Sequence, residues 1–188
     1  LIKGEKTNIK ITYPEDLVYF NLFKKPIFKS GIGYDIHQID KKTKKGLKLC
    51  GVSLPFSKLI GHSDADVGLH AICDSIFGAL SMRDIGYHFP NNKKKWKNAD
   101  SSLFVIYCRE KLIEKGFSIT NLDINIIAEK PKINKFVKQM KIKISKLLQI
   151  KTNCISIKAT TNEKIGFIGN GEGIAAESIV QISNENYN

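Results

Sequence analysis

Apolar residues recur along this chain in two rhythms. Leu69, Ile72, Cys73, Ile76 and Leu80 repeat at three- and four-residue intervals, which predicts a helix with one face on a core. Leu103, Val105, Ile106, Leu112 and Ile113 predict a second helix, capped by Asp100 or Ser101 and stopped by Gly116. Ile133, Phe136, Val137, Met140, Ile144, Leu147 and Leu148 predict a third on a lysine-rich segment, facing a core rather than a membrane surface. Between them, Gly31–Ile39, Leu122–Ala128, Cys154–Ala159 and Gly173–Ile182 are predicted as strands. Gly46–Leu54 predicts a further strand, ended by Pro55. The order gives an α/β or α+β domain of about four or five strands and three helices.

Composition narrows this little. With 188 residues and 42% hydrophobic content, one domain with a sizeable core is expected. Residues 1–30 lack a period and end in Phe23-Lys24-Lys25-Pro26-Ile27-Phe28-Lys29, so they read as an N-terminal extension or a trimmed leader. Residues 31–183 form the expected domain and 184–188 a tail. No apolar run approaches the roughly 18 residues of a membrane-spanning helix, and no membrane partner is expected. Cys50, Cys73, Cys108 and Cys154 are widely spaced and read as reduced thiols.

Charge matters more. The net +12 is carried almost wholly by lysine, with arginine only at Arg83 and Arg109. Base readout and bidentate phosphate clamps favour arginine, and no aromatic-basic platform is present, so a nucleic-acid partner is not expected. A positive field still gathers a phosphorylated substrate.

The densest chemistry lies in Gly61–Asp74, with His62, His70, Asp64, Asp66 and Asp74. Ser63 and Asp66 have the spacing of a capping box, placing a helix start here. Asp66, His70 and Asp74 then form a polar stripe, which suits either a solvated face or a ligand histidine flanked by supporting carboxylates. Upstream, an extended Asp35-Ile36-His37 sends Asp35 and His37 to one face. Alone that is an ordinary Asp–His hydrogen bond; with His70 it makes one carboxylate and two imidazoles, a catalytic zinc set with one position open. His88 reads as a surface residue or a further ligand, and Trp96 as a packing anchor. The stretch from Lys158 to Gly173 fits a phosphate cradle with a magnesium carboxylate as readily as a plain turn before a strand.

These residues carry a resemblance. Gly-Tyr-Asp-Ile-His at 33–37, His-Ser-Asp-Ala-Asp-Val at 62–67 with Leu69-His70, Asp-Ile-Gly at 84–86, Ala-Glu-Lys-Pro-Lys at 128–132 and Lys-Ala-Thr-Thr-Asn-Glu-Lys at 158–164 occur in order. The chain resembles the 2-C-methyl-D-erythritol 2,4-cyclodiphosphate synthase family of non-mevalonate isoprenoid biosynthesis. The resemblance implies an α+β fold, or α/β sandwich: a four- to five-stranded mixed sheet with about three helices on one face, the sheets of a homotrimer turned to its centre. It implies conversion of 4-diphosphocytidyl-2-C-methyl-D-erythritol 2-phosphate to the 2,4-cyclodiphosphate with release of CMP. Asp35, His37 and His70 would hold one zinc per subunit. Asp35, Ile36, His37, His62 and Ser63 would meet the 2-phosphate end, and Asp84, Ile85, Gly86, Phe89, Pro90, Asn91, Asn92 and Lys93 the methylerythritol. Ala128, Glu129, Lys130, Pro131, Lys132, Ile133 and Asn134 would hold the cytidine diphosphate from a neighbouring subunit. Thr160, Thr161, Asn162 and Glu163 would join them, with Phe167 and Asn170 nearby. Glu163 would hold magnesium or manganese, while His62 and Thr161 would hydrogen-bond the transferring phosphoryl. Two departures are visible: Ala65 replaces a usual glycine, and Asn170 stands where an arginine is common, facing a cavity of the trimer. The enzyme would sit in a plastid-type organelle, apicoplast or chloroplast, in a eukaryote and in the cytoplasm of a bacterium. A generic zinc phosphohydrolase and a basic nucleic-acid-binding module are the competing classes; neither needs a cytidine pocket.

Overall fold

The computed structural model describes residues 10–16 and 25–184; residues 1–9 and 17–24 of the expected leader and 185–188 of the tail lie outside it. Among the described residues, seven strands and five α-helices follow in the order β1 (Phe28–Ile39), β2 (Gly46–Leu49), β3 (Val52–Ser57), β4 (Leu59–Ile60), α1 (Val67–Ala79), α2 (Ile85–His88), α3 (Ser102–Glu114), β5 (Ser118–Ile127), α4 (Val137–Leu148), β6 (Ile155–Thr160), α5 (Gly166–Gly169) and β7 (Gly173–Ser183). The main sheet has the order β4-β1-β7-β5-β6, mixed because β5 and β6 run parallel while their neighbours are antiparallel. This is the expected mixed five-stranded α+β sheet, with three long helices. β2 and β3 form a separate two-stranded sheet. No described helix is long and apolar enough to cross a membrane.

The alternation of β1 decides how the sheet is covered. Gly31 and Gly33 face α1, and neither has room for a side chain, because a Cβ at Gly33 would stand 2.0 Å from the Ala71 carbonyl oxygen. The helix therefore lies directly on the strand, burying Leu69, Ile72, Ile76 and Phe77 with Leu122, Ile124 and Ile126 of β5 and Ile174, Val180 and Ile182 of β7. Ile32 and Tyr34 of β1 point the other way and are 71% and 49% exposed, beside Ile179 of β7 at 52%.

Three local expectations are corrected. The capping box at Ser63 is not formed: α1 starts at Val67 with Asp66 as its cap, the carboxylate accepting from Leu69 N at 3.0 Å. That same carboxylate accepts from Cys50 N at 2.7 Å and Gly51 N at 2.6 Å, so it also fastens the β2–β3 turn, whose two residues both have positive φ. Pro55 does not end a strand; it lies inside β3, close to a register irregularity at Gly46/Leu47 that leaves its missing N–H without cost. In α3, Leu103 and Ile113 are 55% and 66% exposed, while Phe104, Val105, Cys108 and Leu112 make the buried face.

Candidate metal centre and phosphate site

Asp35 and His37 emerge from the α1-facing side of β1, and His70 comes down on them from the first turn of α1. Asp35 Oδ2 lies 3.0 Å from His37 Nε2 and 2.8 Å from His70 Nδ1, and the two ring nitrogens are 3.3 Å apart. One donor atom from each residue thus falls within a space of 4.8 Å, the only such group of three or more among the described residues. Burial pushes the Asp35 carboxyl up, but hydrogen bonds from and the charge of His37 and His70 outweigh it and hold it well below the usual carboxylate range. Burial pushes His70 down, yet the hydrogen bond and charge of Asp35, with Asp66 and Asp64 behind it, leave it above the ordinary imidazole value. The cluster therefore attracts positive charge. One carboxylate oxygen and two imidazole nitrogens converging from two rigid elements fit a divalent metal with an open position.

The far side of the His70 ring is held as well. Its Nε2 lies 2.8 Å from Ser101 Oγ and 3.1 Å from Ser63 Oγ. Ser101 Oγ donates to Asp64 Oδ1 at 2.5 Å.

A cavity of about 430 Å³ opens on this cluster, lined by Asp35, His37, His62, Ser63 and His70 together with Ile85, Gly86, Phe89, Pro90, Asn91 and Asn92. Phe89 stacks on Phe104 at 4.3 Å and meets Trp96 edge-on at 5.0 Å, so the apolar wall is one aromatic group and Trp96 is the expected packing anchor. Asp84 and Lys93 do not line the cavity; Asp84 caps α2 by accepting from Tyr87 N at 2.9 Å. His88 stands outside the cluster: its Nε2 meets the Met82 carbonyl oxygen at 2.8 Å and its ring stacks on Phe77 at 4.1 Å. Asp74 accepts from Ile85 N at 2.6 Å and so ties α2 to α1.

The second group of residues lies elsewhere. None of 128–134 or 160–163 lines the cavity at the cluster. Glu129 accepts from Asn162 N at 3.0 Å and from Lys164 N at 3.3 Å, and thus fastens the two segments together. The Thr161 hydroxyl donates to Glu163 Oε1 at 2.6 Å, with Glu163 and Lys164 both at positive φ. Glu129, Lys130, Lys164 and Asn170 share a cavity of about 460 Å³, and Pro131, Lys132 and Asn134 line another of about 400 Å³. Ile133 is 2% exposed, packed in the core, and lines neither of these cavities. Phe167 lines a third, of about 330 Å³, with Ile36 and His37.

The YgbB family sequence model matches residues 28–183. The chain belongs to the YgbB family. It is similar to the 2-C-methyl-D-erythritol 2,4-cyclodiphosphate synthase of Ehrlichia canis, 48% identical over 161 residues that cover 83% of this chain and 93% of that relative. It is also similar to the bifunctional enzyme IspD/IspF of Wolbachia pipientis, 45% identical over 192 residues, 100% of this chain and 48% of the relative. The chain thus spans about half the length of the bifunctional relatives it matches. Among solved structures, IspF of Plasmodium falciparum in a CDP complex superposes with a TM-score of 0.74 at 38% identity, covering 85% of this chain and 97% of that one.

Ser101 and Asp64 were not singled out by sequence reasoning for contact with His70. The local signal was weak, since Ser101 follows Asp100 at a helix start and reads as a cap; in the structure its side chain makes no cap hydrogen bond.

Proposed function

We propose that this chain is a 2-C-methyl-D-erythritol 2,4-cyclodiphosphate synthase, a CMP-releasing lyase that needs zinc and magnesium or manganese. The observation that carries the reading is the meeting of Asp35, His37 and His70 beside His62 and Ser63 in one cavity, in a chain 48% identical to a synthase of that name. The substrate's 2-phosphate oxygen attacks the β-phosphorus of the cytidine diphosphate, a new P–O bond closes the ring and CMP departs with the electrons of the broken bond. Asp35, His37 and His70 hold zinc and Glu163 holds the second cation; when bound, these ions supply Lewis-acid polarisation of the β-phosphate and charge neutralisation on the leaving group. His62 and Ser63 fix the attacking phosphate, while Ile85, Gly86, Phe89 and Asn91 exclude water around the methylerythritol. His62 donates to the transferring phosphoryl, as does Thr161 once its hydroxyl turns from Glu163 Oε1, each contributing roughly a hundred- to a thousandfold on the oxyanion-donor scale. No protein nucleophile takes part.

The nucleotide half, residues 128–134 and 160–163, comes from a neighbouring subunit of a homotrimer. Support for this comes from its absence from the cavity at the cluster and from the exposed Ile32, Tyr34 and Ile179 on the uncovered sheet face. Residues 1–27 form an extension outside the synthase domain, three residues shorter than the expected 1–30 because β1 already begins at Phe28. The Ehrlichia and Wolbachia relatives favour the cytoplasm of a bacterium over an organelle.

The test sets wild type beside His70→Ala, with metal analysis and CMP release from the cytidylylated 2-phosphate. One zinc per chain and turnover are expected in the wild type, with both lost in the variant. A zinc- and magnesium-loaded wild type that releases no CMP, or a variant that keeps zinc and turnover, overturns the reading.

A further inference from the structure

Ser101 occupies the cap position of α3, is fully buried, and yet makes no cap hydrogen bond with its side chain. The first turn is served instead by Asp100, whose Oδ1 accepts from Ser102 N at 2.8 Å. The Ser101 hydroxyl is spent between two other groups, Asp64 Oδ1 at 2.5 Å and His70 Nε2 at 2.8 Å. A hydroxyl carries one proton, and a carboxylate can only accept. With that proton on Asp64, Ser101 Oγ is left to His70 as an acceptor only. The Nε2 of His70 must then carry a hydrogen in every state of the ring, so the nitrogen that can exchange its own proton for a metal is Nδ1, the atom that faces Asp35 Oδ2 and His37 Nε2.

Asp64 is held in turn by backbone. Its Oδ2 accepts from Ser101 N at 3.3 Å, and its own N–H donates to the Ala99 carbonyl oxygen at 3.0 Å. The segment ahead of α3 is thereby pinned to the segment ahead of α1, with the serine hydroxyl at the join. Ser63 Oγ, 3.1 Å from the same Nε2, adds a second acceptor and keeps its own proton for the cavity it lines.

We infer that Asp64 and Ser101 are positioning residues that fix the tautomer and ring orientation of His70, so that Nδ1 is the atom offered to the metal. The inference rests on the metal reading above. It gives this centre a three-member chain, carboxylate to hydroxyl to imidazole, in place of a carboxylate set directly on the ligand ring. Supporting partners of this kind alter metal affinity by about 10–100-fold.

Zinc affinity of wild type, Ser101→Ala, Ser101→Thr and Asp64→Asn is measured by equilibrium competition with a chromogenic chelator, with circular dichroism as a check of folding. Ser101→Ala and Asp64→Asn are expected to bind zinc about 10–100-fold more weakly, and Ser101→Thr, which keeps the hydroxyl, to bind as wild type. Ring-nitrogen NMR of the zinc-loaded wild type provides a readout that no variant's folding affects: a hydrogen on His70 Nε2 and metal on Nδ1 are expected. Wild-type affinity in a folded Ser101→Ala, or metal on Nε2, overturns the inference alone. A wild type that takes up no zinc overturns the metal reading together with it.

Discussion

Replacing Gly33 with alanine tests whether close contact between β1 and α1 builds the metal cluster. The new Cβ would stand 2.0 Å from the Ala71 carbonyl oxygen and 2.6 Å from Ser75 N, whereas real Cβ contacts essentially never fall below 3.0 Å. Both neighbours are backbone atoms of a packed helix, so no flexible side chain can step aside, and helix and strand must separate by at least about 1 Å. Overpacking of this kind costs about 1–3 kcal/mol. Ala71 follows His70, whose Nδ1 lies 2.8 Å from Asp35, so the separation is delivered to the ligand set. A metal centre tolerates ligand displacements of only about 0.2 Å, and zinc affinity falls with stability. Gly78, on the same helix over the same strand, is the control: a Cβ there meets Ile32 O at 3.6 Å and Gly31 Cα at 3.7 Å, ordinary contact. Gly78→Ala removes a glycine from the last turn of α1 and is expected to gain up to about 0.5–1 kcal/mol with zinc binding intact. Urea unfolding and chelator competition on both variants measure the contrast. Equal midpoints and equal zinc affinity in Gly33→Ala and wild type, or equal damage in both variants, would refute the argument.

Two further outcomes follow from carboxylates away from the ligand set. Asp66→Ala strips the partner from Leu69, Cys50 and Gly51 N–H at once and is expected to cost about 2–4 kcal/mol in urea unfolding, part of the loss being offset by removal of a buried charge; a cost below about 0.5 kcal/mol would count against the shared cap. Burial, with Asp84 and Asp35 nearby, raises the Asp74 carboxyl, so its contribution to stability is full below the unfolded value and is lost as pH rises through the folded one. Asp74→Asn keeps an oxygen for Ile85 N–H and removes that loss, so its unfolding midpoint should gain on wild type between about pH 4 and neutrality; a variant that falls further behind as pH rises contradicts this.

What the sequence revealed of the site depended on how local its causes are. Asp35 and His37 share a face because strands alternate, and His70 follows from helix periodicity, so all three members of the cluster were readable from short windows. The cap of α1 was misread at Ser63 because the decisive partners of Asp66 are the N–H groups of Cys50 and Gly51, which lie 16 and 15 residues away. In α3 the pattern of Phe104, Val105, Cys108 and Leu112 is present in the sequence, but Leu103 and Ile113 are equally apolar and only the packing against α1 selects between them. The contact of Ser101 with His70 spans 31 residues and leaves no local trace.

One strand carries two requirements in opposite phases. Gly31, Gly33, Asp35 and His37 occupy the inner positions of β1 and bring α1 and the ligands together, while Ile32 and Tyr34 occupy the outer positions and form the exposed apolar face with Ile179. Because side chains alternate with period two, a shift of one residue in register would exchange the sets, setting isoleucine and tyrosine against the helix backbone and the ligands into the open face. The long pairing of β1 with β7, from Phe28 opposite Ser183 to Gln38 opposite Gly173, forbids that shift. Ala175 pairs with Ile36 on one side and with Ile127 on the other, and Ile127 pairs with Thr160, so one row of the sheet joins the metal strand to the start of the segment at 160–163. That row spans three strand spacings, about 14 Å, and the register of β1 against β7 sets where the Asp35–His37–His70 cluster stands relative to both residues 160–163 and the exposed face of Ile32, Tyr34 and Ile179.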